Sequence, residues 1–182
     1  ELHYFHMEDL PKGEYLGYCD PSAGRDKDKG DFSAIITLLR ADDGVLYVVD
    51  ADISRRPVSE TNSKIVAKAF HYQYVKFGEE DDQYAAISED LKRQSEQQNA
   101  YLPIRKRKAS GLPQKTSRIN SIEGLVSSGQ VKFRSDWRTA PNNFIFLWNN
   151  LKILAFAERM MTGQTRLKAQ FGLLAALEKG YI

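Results

Sequence analysis

With 182 residues, 42% of them hydrophobic and 27% charged, the chain has the composition of an ordinary globular domain and enough apolar material for one sizeable core. A net charge of +2 excludes a polycation, so any anionic partner must be met by a local patch. One cysteine, Cys19, excludes an internal disulfide, and with it only His3, His6 and His71 are left, too scattered for a zinc enzyme.

No apolar run approaches the roughly 20 residues of a membrane span, and the start, Glu1-Leu2-His3-Tyr4, lacks a secretory signal pattern. A reducing, cytosolic setting without membrane contact is expected. Because the chain begins on an acidic residue rather than Met, it is expected to be a piece of something longer.

In chain order, residues 1 to 14 carry aromatics and charges without a period and are expected to form a lead-in arm. Leu16 to Asp20 and Phe32 to Leu39 are predicted strands, joined by a turn that holds Gly24 and Gly30. Asp42-Asp43-Gly44 signals a turn, after which Val45 to Ala51 forms a third strand rich in β-branched and aromatic residues. Short turns between three sequential strands predict an antiparallel meander. The spaced set Ile65, Val66, Ala69 and Phe70 predicts an amphipathic helix over residues 59–73.

Tyr74 to Gly78 follows as a fourth strand that runs into Glu79-Glu80-Asp81-Asp82. A polar helix is predicted over 83–98, with Tyr84, Ile87 and Leu91 on one side, and Leu102-Pro103-Ile104 begins a fifth strand. Lys115 to Ser128 is expected to be a helix stopped by Gly129, with a brief strand at Gln130 to Phe133 and a C-terminal helical part over 136–182. The fold class is therefore α/β, a single domain with a mixed central sheet, its first three strands antiparallel, flanked by helices.

Two acids stand out by context. Asp20 precedes a proline, which cannot donate to a sheet ladder, so its carboxylate is presented at a strand end. Glu80 lies where the fourth strand ends, with Glu79 as an adjacent rival. If the two strands are neighbours, both carboxylates reach one end of the sheet, a cluster that resists joint ionisation unless a cation neutralises it. Magnesium is the natural cation, and two ions about 4 Å apart would equip the pair for phosphodiester hydrolysis. The spacing is equally compatible with Asp20 capping a turn and residues 79–82 forming a solvated charge run at a helix start.

The second constellation is Arg105-Lys106-Arg107-Lys108 with Lys115 and Arg118, six cations in 14 residues around a Gly/Pro loop. It suits a phosphate backbone, or is a solvated surface run. No P-loop and no Gly-x-Ser-x-Gly elbow occurs.

Four stretches then form an ordered set. They are Gly17-Tyr18-Cys19-Asp20-Pro21-Ser22 with Gly30-Asp31-Phe32-Ser33-Ala34-Ile35; Tyr47-Val48-Val49-Asp50-Ala51 with Arg56-Pro57; Phe77-Gly78-Glu79-Glu80-Asp81-Asp82-Gln83-Tyr84; and Lys115-Thr116-Ser117-Arg118-Ile119 with Gly129-Gln130-Val131-Lys132-Phe133. In this order they resemble the C-terminal nuclease domain of the large subunit of a tailed-phage terminase, over roughly residues 14–133. The resemblance implies an RNase H-like fold, metal binding by Asp20 and Glu80 with Mg²⁺ or Mn²⁺, and a place near double-stranded DNA for Lys115 to Arg118. It implies endonucleolytic cutting of concatemeric viral DNA during genome packaging in the host cell cytoplasm. An N-terminal ATPase domain, the portal and the small terminase subunit would be its partners.

The family's third acid has no clear counterpart. Ala175 stands where an aspartate would be expected, and of Asp136, Glu158 and Glu178 the last is the nominee for a third metal ligand. Two alternatives follow: a catalytically inactive RNase H-like module that grips DNA or docks within a packaging motor, or another RNase H-like nuclease of the resolvase or transposase type.

Overall fold

The computed structural model describes residues 2–21, 32–80, 85–107 and 124–138. The strands are β1 (His3–Phe5), β2 (Gly13–Asp20), β3 (Ser33–Ala41), β4 (Leu46–Ser54), β5 (Lys76–Glu80), β6 (Ile104–Arg107) and β7 (Val131–Arg134). The helices are α1 (Val58–Tyr72) and α2 (Ala85–Gln97), with 3₁₀ turns at Met7–Asp9 and Ser135–Arg138. All seven strands join one sheet in the order β1-β7-β4-β3-β2-β5-β6. β2, β3 and β4 form the predicted antiparallel meander, whereas β5 lies parallel to β2, β6 parallel to β5, β7 parallel to β4 and β1 parallel to β7. The mixed sheet flanked by helices is the architecture expected from the sequence.

The sheet separates two cores. On one face α1 contributes Ile65, Val66 and Ala69 and α2 contributes Leu91, packed on Cys19, Ile35, Tyr74 and Phe77. The opposite face carries Leu16, Tyr18, Ala34, Ile36, Leu38 and Val48, covered by Val126 and Trp137. Burial on both sides explains why β3 is apolar along nearly its whole length rather than alternating. Each Ile or Leu taken fully out of water there contributes about 1.5–3 kcal/mol.

Gly17 is a notch in this construction. It pairs with Thr37 on one side and Phe77 on the other. A Cβ there would lie 2.4 and 2.7 Å from two carbons of the Phe77 ring and 3.0 Å from Cζ of Tyr74. The missing side chain lets the Tyr74 ring lie over β2, and its hydroxyl reaches the buried Thr37 hydroxyl at 2.7 Å.

A bulge resets β4. Leu38 pairs with Val48 but Thr37 pairs with Asp50, so Val49 is the extra residue. Leu46 and Val48 therefore face the Val126 core, Val49 and Asp50 both turn towards α1, and Ala51 and Ile53 return to the Val126 side. Asp50 and Asp52 are thereby delivered to α1, where Lys68 pairs with Asp50 and Lys64 lies 3.3 Å from Asp52.

Two elements differ from expectation. The lead-in arm contains β1, which joins the edge of the sheet through β7; three residues paired only to a distant strand leave no local period to read. β6 extends from Ile104 to Arg107, so the basic run begins inside a strand. Edge strands tolerate and favour charge, and among the described residues β6 is an edge. Of the helix expected over residues 115–128, a helical turn over 124–127 lies among the described residues, and Gly129 follows it at φ +74° as the anticipated stop. The expected C-terminal helical part falls outside the described residues beyond 138.

Candidate active site

The end of β2 is where the candidate site is built. Cys19 turns into the α1 and α2 core, so alternation carries Asp20 to the opposite face, beside Ala34 of β3. There it is partly buried, and Pro21 closes the strand. β5 runs parallel to β2, with Leu16 opposite Lys76 and Cys19 opposite Glu79. Glu80 follows Glu79 as Asp20 follows Cys19, so the two backbone positions lie at the same end of adjacent strands, about 4.8 Å apart. The condition that the sequence left open, whether these strands are neighbours, is met.

β6 extends the arrangement. Arg105, Lys106 and Arg107 pair with Gly78, Glu79 and Glu80, so half of the basic run is fixed at backbone level beside the acidic strand end. Lys108, Lys115 and Arg118 lie outside the described residues, as does Glu178.

Other acids are accounted for differently. Asp136 follows β7, three strands from β2 and hence about 14 Å away. Its carboxylate is gripped by the Arg134 fork at 2.6 and 3.0 Å, and that hydrogen bond holds it below the usual carboxylate range. Asp50 and Asp52 lie on the α1 face. Burial alone would raise the Asp52 carboxyl, but the 2.6 Å hydrogen bond from Arg56 and the charges of Arg56, Lys64 and Lys68 outweigh it and keep Asp52 low. Beside them Tyr72 is pushed up to about 12, first by burial and then by the negative charge of Asp50.

Sequence reasoning missed Arg56 as a structural residue. It is 2% exposed and donates from both terminal nitrogens to Asp52, to the carboxylate and to the backbone carbonyl, locking the corner between β4 and α1. It also missed Arg55, whose guanidinium sits 4.3 Å above the Phe32 ring at the same end of the sheet as Asp20. An arginine doublet before a proline marks a corner but does not say which member turns inward.

Among the described residues no three His, Cys, Asp or Glu side chains cluster as a ready-made metal cage. What the strand ends do offer, Asp20 and Glu80, is carboxylate oxygen alone. That hard donor chemistry fits Mg²⁺ or Mn²⁺, which bind through one or two carboxylates together with substrate phosphates and water.

Comparison with known proteins gives the following. No curated protein matches the chain in sequence. Similar solved structures include the yeast mitochondrial Holliday junction resolvase Ydc2, with 11% identity and a TM-score of 0.47 over 82% of this chain and 77% of that one. The large terminase nuclease from the thermophilic phage G20c aligns at 19% identity and a TM-score of 0.47, over 73% of this chain and 63% of that one. The fowlpox virus Holliday junction resolvase aligns at 12% identity and a TM-score of 0.46, over 79% and 92%. A family profile, the terminase RNaseH-like domain, matches residues 17–152, from the notch at Gly17 through both strand ends and beyond β7. The chain belongs to the terminase RNaseH-like domain family.

Proposed function

We propose that this chain is a divalent-metal-dependent endodeoxyribonuclease that cuts concatemeric double-stranded viral DNA during genome packaging. The observation that carries the proposal is the parallel pairing of β2 with β5, which brings Asp20 and Glu80 to adjacent strand ends beside the basic strand β6. Asp20 and Glu80 would hold one or two Mg²⁺ or Mn²⁺ ions, with Glu178 nominated to complete the set. A bound ion supplies an activated water and neutralises charge on the phosphodiester. The chain's own part is to fix two carboxylates on rigid neighbouring strands and to hold the DNA backbone with Arg105, Lys106, Arg107, Lys108, Lys115 and Arg118. Within a packaging motor its partners would be a terminase ATPase domain, the portal and the small terminase subunit, in the host cell cytoplasm.

The test is cleavage of duplex DNA in Mn²⁺ or Mg²⁺ by Asp20→Asn and Glu80→Gln variants. Each should lose at least about 100-fold in rate, as expected when a group that positions the reacting centre is removed, with the unfolding midpoint unchanged. Undiminished cutting by both variants would sink the assignment.

One observation favours a second reading, an inactive module that grips DNA or docks in the motor: Ala175 stands where the family's pattern leads one to expect an aspartate. Calorimetric titration with Mn²⁺ separates the two. Heat that disappears in Asp20→Asn supports the nuclease; no heat at millimolar Mn²⁺, together with retained DNA binding, supports the inactive module.

A further inference from the structure

The level at which Asp20 and Glu80 meet rests on the register of β5 against β2, and the ladder that sets it is short. Leu16 to Cys19 pair with Lys76 to Glu79. A slip of one residue would bring Glu79 to the level that Glu80 holds and turn every side chain of the strand to the other face. The second row of the ladder opposes Phe77 to Gly17, which has no side chain to pack, so the backbone pairing alone specifies this register weakly.

A side-chain contact supplies what the ladder lacks. Tyr74 stands two residues before β5, and its ring passes over β2 at Gly17, where a Cβ would lie 3.0 Å from Cζ. Beyond β2 the Tyr74 hydroxyl meets the hydroxyl of Thr37 in β3 at 2.7 Å, and Thr37 is itself the partner of Gly17. The two residues are 2% and 0% exposed. Tyr72 and Phe77 pack against the crossing ring, with centroids 5.9 and 5.4 Å from its own.

This hydrogen bond skips a strand. It ties the entry of β5 to β3, whose Ala34 lies opposite Asp20, and so fixes both carboxylate-bearing strands to one frame. In any other register both hydroxyls would be buried without each other, which costs the desolvation of each. A buried polar pair satisfied in one register alone is the device by which a single Asn sets the register of a coiled coil.

We propose that Tyr74 and Thr37 are positioning residues, whose hydrogen bond across the Gly17 notch sets β5 on β2 and so brings Asp20 and Glu80 to one level for metal binding. This rests on the nuclease reading above. The experiment compares wild type, Thr37→Ser, Tyr74→Phe and the double variant Thr37→Val with Tyr74→Phe. Each is measured for thermal midpoint, for Mn²⁺ affinity by calorimetry and for the rate of duplex cutting well below that midpoint.

Thr37→Ser loses a buried methyl but keeps the hydroxyl, so its midpoint should fall while Mn²⁺ affinity and rate stay at the wild-type values. The double variant keeps the side-chain shapes and leaves neither hydroxyl unpaired, so its midpoint should lie above that of Tyr74→Phe. Its Mn²⁺ affinity and rate should nevertheless fall several-fold, as in Tyr74→Phe, the loss expected from a displacement well short of the 1 Å that costs about 100-fold. Amide hydrogen exchange over residues 76–79 should quicken in the double variant relative to β3 and β4.

Wild-type Mn²⁺ affinity and rate in the double variant would overturn the positioning role while leaving the nuclease reading in place. So would losses in Thr37→Ser as large as those in the double variant, which mark an effect of packing alone. A wild-type chain that neither binds Mn²⁺ nor cuts DNA would overturn the nuclease reading and this role with it.

Discussion

Replacing Gly17 by alanine tests the geometry that holds the two strand ends together. The added Cβ would lie 2.4 and 2.7 Å from Phe77 ring carbons, against the roughly 3.5 Å at which carbon atoms rest, so the ring must retreat by about 1 Å. It has nowhere to go: Phe77 is fully buried, and the Tyr74 ring stands behind it at 5.4 Å between centroids. Overpacking of this kind costs about 1–3 kcal/mol, and removing glycine from a strand interior returns about 0.5–1 kcal/mol, so the midpoints of the two ranges leave a net loss of about 1 kcal/mol. Urea unfolding reads it as a lower midpoint.

The same retreat moves β5 against β2, and a displacement near 1 Å at a reacting centre lowers turnover by about 100-fold, so metal-dependent cutting should fall further than stability does. Adding Phe77→Leu should restore part of both losses, and a double-mutant cycle should give a coupling energy of at least about 0.5 kcal/mol. A Gly17→Ala protein as stable as wild type, or a cycle without coupling, would refute the reasoning.

Two further predictions concern the polar contacts beneath α1. Arg56→Met should destabilise by about 2–3 kcal/mol, less than the 3–5 kcal/mol of a buried pair broken outright, because Lys64 and Lys68 still face Asp52. The folded Asp52 is depressed, so its contribution is present above the unfolded value near 3.9 and is lost as pH falls through the folded value; denaturant midpoints measured between pH 5 and pH 2 should therefore fall less steeply in Arg56→Met than in wild type, and equal slopes would contradict the pairing. Tyr74→Phe should cost about 1–3 kcal/mol by leaving the buried Thr37 hydroxyl without its 2.7 Å partner, and Thr37→Val in that background should recover part of the loss by thermal unfolding; no recovery would mean that the hydrogen bond is not the cause.

The parts of this site that the sequence declares are those set by local chemistry. Asp20 could be read because a proline follows it, and the Glu79-Glu80 run because it interrupts an apolar strand. The adjacency of β2 and β5 depends on α1 carrying the chain back to the sheet, a long-range outcome that no local pattern states. The strand that begins at Leu102-Pro103-Ile104 carries no local mark of where it ends, because charged residues are poor strand formers and only a place at a sheet edge makes Arg105-Lys106-Arg107 acceptable within it. The β4 bulge had left a trace. Apolar residues occupy even positions at Leu46 and Val48 and odd ones at Ala51 and Ile53, and this change of phase is what removes Asp50 from the face that Asp20 occupies. The burial of Arg56 rather than Arg55 left none, since either can turn inward at such a corner.

The position of β7 between β1 and β4 has a consequence for the order in which the sheet can close. His6 and Ser135, joined by a 2.9 Å hydrogen bond at this edge, are 129 residues apart in the chain. On a growing polypeptide β1 is made first yet has no partner until β7 emerges, and until then the outer edge of β4 stands unpaired. Closing so large a loop is slow relative to forming the β2-β3-β4 meander, so the last strand to arrive sets the rate. During that interval the open β4 edge is the surface by which nascent copies would associate, and a chain that has lost residues 1–10 would leave β7 open there permanently.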